Sequence, residues 1–153
     1  MMKTVLHAAA GTLALALVST FLASTIISEL CLDYRAITIV KTAIFYGVFL
    51  LVPLMAITGG SGFALAANRS GGLVERKKAR MRIIGANGLL VMLPAAVFLY
   101  FRASVGSFDG LFYVVQIIEL AGGMLQLCLL ILNFRDGRRM TEKKRLLAAR
   151  NTA

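Results

Sequence analysis

The sequence predicts an all-α fold: an integral membrane four-helix up-down bundle with its N-terminus and C-terminus in the cytoplasm. Three observations predict it: a hydrophobic share of 59% in 153 residues, four long runs almost free of ionisable residues, and basic residues concentrated in alternate connections. A soluble chain of this size would need more polar surface to cover its core. The length is enough for one domain.

Four apolar runs define the transmembrane helices. Residues 8–28, 42–68 and 83–101 contain no Asp, Glu, Lys, Arg or His, and residues 110–134 contain only Glu119. A helix needs roughly 20 apolar residues to cross the hydrocarbon core of a bilayer. Because the first and third connections are short, neighbouring helices should be antiparallel. We expect one transmembrane domain over residues 1–153, with helices at about 5–28, 36–58, 82–103 and 111–134.

The net charge of +10 is placed unevenly along the chain. Of the 17 Lys and Arg residues, only Arg35, Lys41 and Arg102 lie towards one side of the predicted bundle. The others lie near the N-terminus, in and next to the second connection, and in the C-terminal segment. Cytoplasmic loops are enriched in Lys and Arg. We therefore expect a basic cytoplasmic loop at 59–81, a basic cytoplasmic tail at 135–153 and a multi-pass protein of the cell inner (plasma) membrane.

The basic loop also indicates a partner. In a soluble protein an excess of positive charge would indicate nucleic acid, but orientation in the membrane accounts for it here, and we expect no nucleic acid. Lys and Arg near an anionic bilayer surface attract acidic lipids by about 1 kcal/mol each. The loop either binds anionic lipids of the bilayer or serves orientation alone. The candidate lipid-binding residues are Arg76, Lys77, Lys78 and Arg80.

The first helix has two interpretations. The start Met1-Met2-Lys3 and the small residues Ala14 and Ala16 are features of a cleaved signal peptide, whose apolar region runs about 7–15 residues before the cleavage site. The uncharged run here extends over 21 residues, and the alanines lie in its middle. We therefore expect the helix to be retained. Cleavage would leave three spans and the same cytoplasmic loop.

Small residues recur at every fourth position of the first helix. Rows of this kind let helix backbones approach closely in membranes, and Ser or Thr hydroxyls can bond across the contact. We expect this row to be a packing face, either within the chain or against another copy of it. Its members are Ala8, Thr12, Ala16, Thr20, Ser24 and Ser28.

The two cysteines are not expected to form a disulfide. Cys31 lies just outside the first helix, whereas Cys128 lies well inside the fourth, roughly 25 Å from its start at 1.5 Å per residue. The Cα atoms of a disulfide lie within about 7 Å of each other. Two cysteines and the one histidine of the chain also cannot supply a four-ligand zinc site without carboxylates. We predict no metal and no other cofactor.

The fourth helix carries a polar stripe. Its members follow spacings of three or four residues, which places them on one face of a helix. The other faces hold Leu, Ile, Val and Met, which suit lipid, so the stripe should face the interior of the bundle. It comprises Tyr113, Gln116, Glu119, Gly123, Gln126, Leu130 and Asn133.

Glu119 is the residue of this stripe that most needs an explanation. An ionisable side chain inside a membrane is costly and is a functional-site hypothesis by default. Lys41 in the second helix lies at comparable depth and is its natural counter-ion. Lys41 is also long enough to snorkel outwards, where Glu29 and Asp33 could bind it instead. Glu119 then has either a functional role in titration or a structural role in hydrogen bonding.

Three further polar residues lie at similar levels near the inner ends of their helices. They are His7 of the first helix, Asn87 of the third and Asn133 of the fourth. Together they could form a polar patch at the inner mouth of the bundle. His7 is the only histidine, and a lone histidine near a helix end is more often an interfacial side chain than a ligand.

The sequence contains no recognisable catalytic constellation, so no catalytic residue is predicted. We expect a non-catalytic accessory, assembly or subunit protein of a membrane complex, with other membrane proteins or further copies of itself as partners. One alternative is a small proton-coupled transporter, with Glu119 as the titrating group and Lys41, Gln116 and Gln126 lining its path. A second alternative is a membrane enzyme that acts on lipids or small apolar molecules near the inner mouth.

The predicted topology is tested by reporter fusions. Fusions after Lys78 and at the C-terminus should both report a cytoplasmic location, because the positive charge lies on that side. Fusions at Asp33 and Ser107 should report an external one. Opposite locations for Lys78 and the C-terminus would rule out the four-span arrangement.

Overall fold

The computed structural model describes residues 2–67 and 71–150, and all regular structure in these two stretches is helical. No strand occurs in them, which confirms the all-α prediction. The helices are α1 (Met2–Cys31), α2 (Tyr34–Ala66), α3 (Gly72–Asn87), a π-helical turn (Gly88–Met92), α4 (Leu93–Ser104) and α5 (Gly110–Arg150).

Four helical stretches are long and apolar enough to cross a membrane. α1, α2 and α5 each supply one of them. α3, the π-helical turn and α4 join end to end into the remaining one, Gly72–Ser104. Each contains a window with a mean hydropathy of 1.9 or 2.0. The chain therefore has the architecture of a small multi-pass membrane protein.

The spans are arranged as a ring. α1 packs against α2 and α5, and α4 packs against the same two helices. Within the described residues, no backbone contact joins α1 to α4 or α2 to α5, so each of these pairs lies across a diagonal. Within the described residues, α3 packs along α5, makes a smaller contact with α2 and has no backbone contact with α1. This arrangement leaves space between α1, α2 and α3.

The helices are longer than the sequence predicted. α2 continues to Ala66 and α3 begins at Gly72, so most of the segment 59–81, expected as a loop, is helical. A glycine commonly ends a helix by taking a positive φ, and of the described glycines only Gly71 and Gly106 do so. The glycines inside α2 keep helical geometry, and the helix continues past them.

The segment 135–153, expected as a separate basic tail, continues α5 as far as Arg150. Residues 151–153 lie outside the described residues. The segment is rich in Arg, Lys, Glu, Leu and Ala, which are strong helix formers. Gly137 is its only glycine, and it does not take a positive φ. The helix therefore extends well beyond the apolar run from which its end was predicted.

The π-helical turn lies in the middle of its span, directly before Pro94. The N–H of Leu93 donates to the carbonyl oxygen of Gly88, five residues earlier. Proline has no N–H, and inside an α-helix its ring clashes with the carbonyl four residues earlier. A locally widened turn relieves that clash. The span therefore continues through the proline.

Two aspartates stabilise helix starts at the short connections. Asp33 caps α2, because its side chain accepts a hydrogen bond of 2.9 Å from the N–H of Ala36. Asp109 directly precedes α5 and accepts one of 3.1 Å from the N–H of Phe112. Hydrogen bonding from the Arg102 guanidinium, and then from that N–H, holds the pKa of Asp109 below its usual value. Asp is favoured at such positions because its carboxylate accepts hydrogen bonds from N–H groups that have no backbone partner at the start of a helix.

The small-residue row of α1 forms little of its packing face within the chain, and packing of this row against another copy stays a prediction. Of the small-residue row only Ser28 is buried. The exposed members are Ala8, Thr12, Ala16 and Thr20. The positions buried instead include Ala10, Ala14, Val18 and Thr25. Val18 packs with Ile84 and Leu130 of two other helices, and this contact buries more apolar surface than a row of Ala and Thr would.

Gly47 of α2 tests the contact between α1 and α2. A Cβ added to Gly47 would lie 2.4 Å from Cζ of Phe21, whereas one added to Gly60 in the same helix meets open space. We expect Gly47→Ala to destabilise the detergent-solubilised protein by about 1–3 kcal/mol, because the ring must move. Gly60→Ala should be neutral or stabilising through helix propensity. Thermal unfolding measures both, and equal effects would contradict close packing at Phe21.

Candidate functional site

The polar stripe of α5 faces the interior of the bundle, as predicted. Its buried polar members are Gln116, Glu119, Gln126 and Asn133. Tyr113 is the exception, because its side chain is 40% exposed. At that level Phe112 occupies the interior, where it packs with Ile37 and Leu99. The stripe is therefore a continuous interior feature only from Gln116 onwards.

Lys41 and Glu119 form a buried ion pair. Lys41 Nζ lies 2.5 Å from Glu119 Oε2, and the two side chains are 1% and 7% exposed. Gln116, one turn earlier on α5, donates from Nε2 to the same oxygen at 3.1 Å. Because α2 and α5 lie across a diagonal of the ring, this pair joins two helices whose backbones do not touch.

The ion pair decides among the partners that the sequence left open for Lys41. Asp33 is used as the cap of α2. Glu29 lies within electrostatic range of Lys41 and Glu119. Its buried Oε1 atom nevertheless has no hydrogen-bond partner in the described part of the chain, and the same holds for Gln116 Oε1. Lys41 therefore turns inwards to Glu119 and does not snorkel.

Asn87 joins the third span to α5 at the next level of the stripe. Its Nδ2 atom donates to the carbonyl oxygen of Gly122 at 3.0 Å and to Gln126 Oε1 at 2.9 Å. A Cβ added to Gly122 would lie 2.9 Å from Met92 Sδ, so glycine here permits the close approach that lets Asn87 reach the backbone. One hydrogen bond therefore joins the two buried amides across the helix interface.

Arg80 and Asp136 form a second ion pair between helices. Arg80 Nη1 lies 2.7 Å from Asp136 Oδ2 and 3.4 Å from Asn133 Oδ1. Asp136 is buried, although it lies beyond residue 134, where the predicted fourth helix ended, and so was not among the predicted site residues. Its spacing of three residues from Asn133 continues the stripe, which is the signal that could have identified it.

His7 links the start of α1 to the far part of α2. Its Nδ1 atom lies 3.0 Å from the carbonyl oxygen of Thr58 and 3.0 Å from Ser61 Oγ. Because a carbonyl oxygen only accepts, Nδ1 carries the proton. Ser61 Oγ in turn donates to the carbonyl oxygen of Ile57 at 2.5 Å. His7 is therefore not placed as the base that a serine nucleophile needs.

The polar patch expected from His7, Asn87 and Asn133 is divided among three separate contacts. His7 bonds to α2, Asn87 bonds to Gln126, and Asn133 accepts from Arg80. Each of these three side chains hydrogen-bonds to a residue of a neighbouring helix. We call the end of the bundle that holds His7 and Arg80 the basic end.

The four basic residues predicted to bind anionic lipids have different surroundings. Arg76 is exposed, and Arg80 is engaged in its ion pair with α5. Lys78 pairs with the exposed carboxylate of Glu75 at 3.1 Å. Lys77 is half-buried. Of the four, only Lys77 and Lys78 line the cavity described next.

A cavity of about 940 Å³ lies between α1, α2, α5 and the third span, to which α3, the π-helical turn and α4 all contribute lining residues. Towards the middle of the bundle it reaches Glu119 and Gln126, and at the basic end it reaches Lys77, Lys78 and Arg138. Apolar side chains and glycines form most of the wall between these groups. Among the described residues, the backbone of α3 packs along α5 and does not approach that of α1. The cavity occupies the space between α3 and α1.

Glycines contribute to the size of this cavity. Those in its wall are Gly11, Gly59, Gly62, Gly85, Gly88, Gly123 and Gly137. A Cβ added at Gly59 or Gly85 would meet no atom within 4 Å. At these two positions the space beside the backbone is open, and a larger side chain would extend into it.

Metal ligation finds no support in the described residues. They contain no group of three or more His, Cys, Asp or Glu side chains that could hold a metal ion. Cys31 and Cys128 are both free and exposed.

Comparison with known proteins identifies no relative. No family model matches the chain, no curated protein matches it, and no solved structure matches its fold. Any proposal about its function therefore rests on the arrangement of its own residues.

The buried ion pair predicts non-additive mutational effects. Lys41→Met leaves Glu119 uncompensated, which costs about 3–5 kcal/mol in soluble cores, so this variant should unfold at a lower temperature in detergent. Adding Glu119→Gln should restore part of the loss. The exposed pair of Lys78 and Glu75 is the control, and Lys78→Met should cost less than about 1 kcal/mol. Additive losses in the Lys41 and Glu119 cycle would contradict the pairing.

Proposed function

We propose that the protein is a non-catalytic accessory or assembly protein of a membrane, which acts by holding an apolar ligand between its helices. The observation that carries this proposal is the cavity of about 940 Å³. Its volume is at the upper end of the roughly 300–1,000 Å³ typical of small-molecule sites. Its mostly apolar wall with a few polar groups also has the composition of such sites.

The cavity is open to the surroundings of the bundle along part of its surface. Side chains that line it lack packing partners within the chain on that side and so lack the dispersion contacts of a closely packed interior. α3 cannot close the space by moving onto α1 without breaking two buried contacts with α5, those of Asn87 with Gln126 and of Arg80 with Asp136. An apolar ligand from the bilayer would supply the missing contacts.

The polar groups nearest the cavity are engaged with one another, which supports binding over catalysis. Glu119 is held by Lys41 and Gln116. His7 keeps its Nδ1 proton towards Thr58, so it does not activate Ser61. Catalysis by a nucleophile requires a base with a free lone pair beside it.

A small proton-coupled carrier is the second candidate, because Glu119 both lines the cavity and holds Lys41. In such a carrier, protonation of Glu119 would release Lys41 and change the shape of the cavity. Glu119→Gln separates the two functions. The substitution should abolish proton coupling in a carrier, but a binding protein should keep its ligand. A Glu119→Gln protein that folds normally and keeps full cellular activity would exclude the carrier.

In this proposal the basic end faces the cytoplasm of a cell whose inner membrane holds the protein. Both termini then lie on that side, and successive spans run in opposite directions. The distribution of Lys and Arg supports this orientation. Contacts such as that of His7, near the start of α1, with Thr58, near the end of α2, support the up-down order.

Adjacent glycines of α2 offer a matched test of the binding function. Gly59 lines the cavity and Gly60 does not, and a Cβ at either position meets open space. Gly59→Phe should fill part of the cavity and lower ligand retention by roughly tenfold or more, because it displaces a volume whose burial is worth about 1.5–3 kcal/mol. Gly60→Phe should leave retention unchanged.

Native mass spectrometry of protein extracted in mild detergent measures the bound apolar ligand. Thermal unfolding of each variant establishes that it is folded. Equal retention by Gly59→Phe and Gly60→Phe would contradict the proposal, and so would a wild-type protein that carries no ligand.

A further inference from the structure

We infer that the cavity takes an anionic phospholipid, with hydrocarbon chain between the helices and phosphate against Lys77, Lys78 and Arg138. This inference names the ligand class of the cavity and therefore rests on the proposed function. It is carried by the length of the cavity, the apolar character of its wall and the charge at one end.

The cavity is long enough for an acyl chain. Its lining on α5 extends from Glu119 past Arg138 to Glu142. Glu119 and Arg138 are 19 residues apart, which corresponds to about 28 Å along a helix. The hydrocarbon core of a bilayer is about 30 Å thick, so the chains of one leaflet extend over roughly 15 Å. A chain that enters at the basic end can therefore lie inside the cavity along its whole length.

The wall between the two ends suits hydrocarbon. All four surrounding helices contribute apolar side chains to it, among them Leu22, Ile44, Leu51, Met55, Ile84 and Leu130. A polar solute or an ion would lose hydration along such a wall without gaining hydrogen bonds. An acyl chain would instead gain dispersion contacts with every side chain that it touches.

A transmembrane helix of a partner protein fits the cavity less well. A helix with its side chains is about 10–12 Å wide, so a piece 28 Å long would occupy roughly 2,000 Å³ or more. The cavity holds about 940 Å³. Its volume therefore favours lipid chains over a helix.

The charge at the basic end favours an anionic head group. Lys77, Lys78 and Arg138 line the cavity there with a single acid, Glu142. Three cations and one carboxylate give these four side chains a formal charge of +2, and the Glu75 carboxylate that pairs with Lys78 lowers the net charge to +1. Ammonium and guanidinium groups bind phosphate oxygens through charge-assisted hydrogen bonds. The head group therefore belongs at this end, and the chains point towards the middle of the bundle.

Lys77 lies at the centre of this group. Its Nζ atom would lie 3.4 Å from a Cβ added to Gly137, so the ammonium reaches from α3 to the backbone of α5 beside Arg138. Arg80 is nearby but is engaged by Asp136. The cations that line the cavity are therefore distinct from the one that holds α3 and α5 together.

The experiment compares phosphatidylglycerol with phosphatidylcholine of the same acyl chains, added to full-length protein in detergent. Native mass spectrometry measures bound lipid, and thermal unfolding measures stabilisation. We expect wild-type protein to prefer the anionic lipid. Lys77→Gln combined with Arg138→Gln should lower this preference by about 30-fold, the effect of two basic residues near an anionic head group.

The control is Arg82→Gln combined with Arg139→Gln. It removes the same charge from two exposed residues that do not line the cavity, so the preference should remain. Equal loss in both double variants would assign the preference to surface charge and overturn the inference. Equal binding of the two lipids by wild-type protein would also overturn it.

Further comparisons keep the inference falsifiable if the Lys77 and Arg138 double variant does not fold. In that event, loss of the anionic preference in Gly59→Phe but not in Gly60→Phe supports the inference, and the same preference in both overturns it. Stronger stabilisation by oleate than by phosphatidylglycerol would assign the site to a free fatty acid and overturn the choice of phospholipid. If Gly59→Phe loses ligand while the charge variants behave alike, the proposed function stands and only the ligand class is wrong.

Discussion

The ion pair between Lys41 and Glu119 is the interaction on which the rest of the structure depends. Either charge alone would be costly inside a membrane, and removal of one partner leaves the other buried and uncompensated. Because α2 and α5 lie across a diagonal of the ring, the direct bond between them limits how far apart these two helices can lie. α1 and α4 then occupy the two remaining positions, each in contact with both.

The same pair marks the boundary between a close-packed part of the bundle and an open part. On one side Leu99 and Phe112 belong to a fully buried apolar cluster. On the other side the cavity begins at Glu119, and α3 is held to α5 by polar contacts such as that of Asn87 with Gln126. Moving α3 away from α5 would separate Asn87 from Gln126, and a buried amide group without its partner is unfavourable.

Hydrophobic runs predicted that the chain has four spans, but they did not predict where its helices end. An apolar run ends at its last apolar residue, whereas the backbone hydrogen bonding of a helix can continue through polar residues. α4, for example, ends only just before Gly106, whose φ is 69°. For this reason Asp136 was missed, although it continues the stripe of α5. The small-residue row of α1 is not the face that packs within the chain, because Val18 packs against residues of two other helices, and the sequence of α1 contains no information about them.

The amino-acid sequence by itself determined the four spans, the inward face of α5 and the need of Glu119 for a counter-charge. All three follow from the high free energy of exposing charged or unbonded polar groups to hydrocarbon, and that penalty can be read locally. Only the tertiary structure decided that Lys41 bonds to Glu119 and not to Glu29 or Asp33, and that a cavity remains beside α3. Both outcomes depend on distances between helices, which are set by the packing of all four spans together and not by the sequence of any one of them.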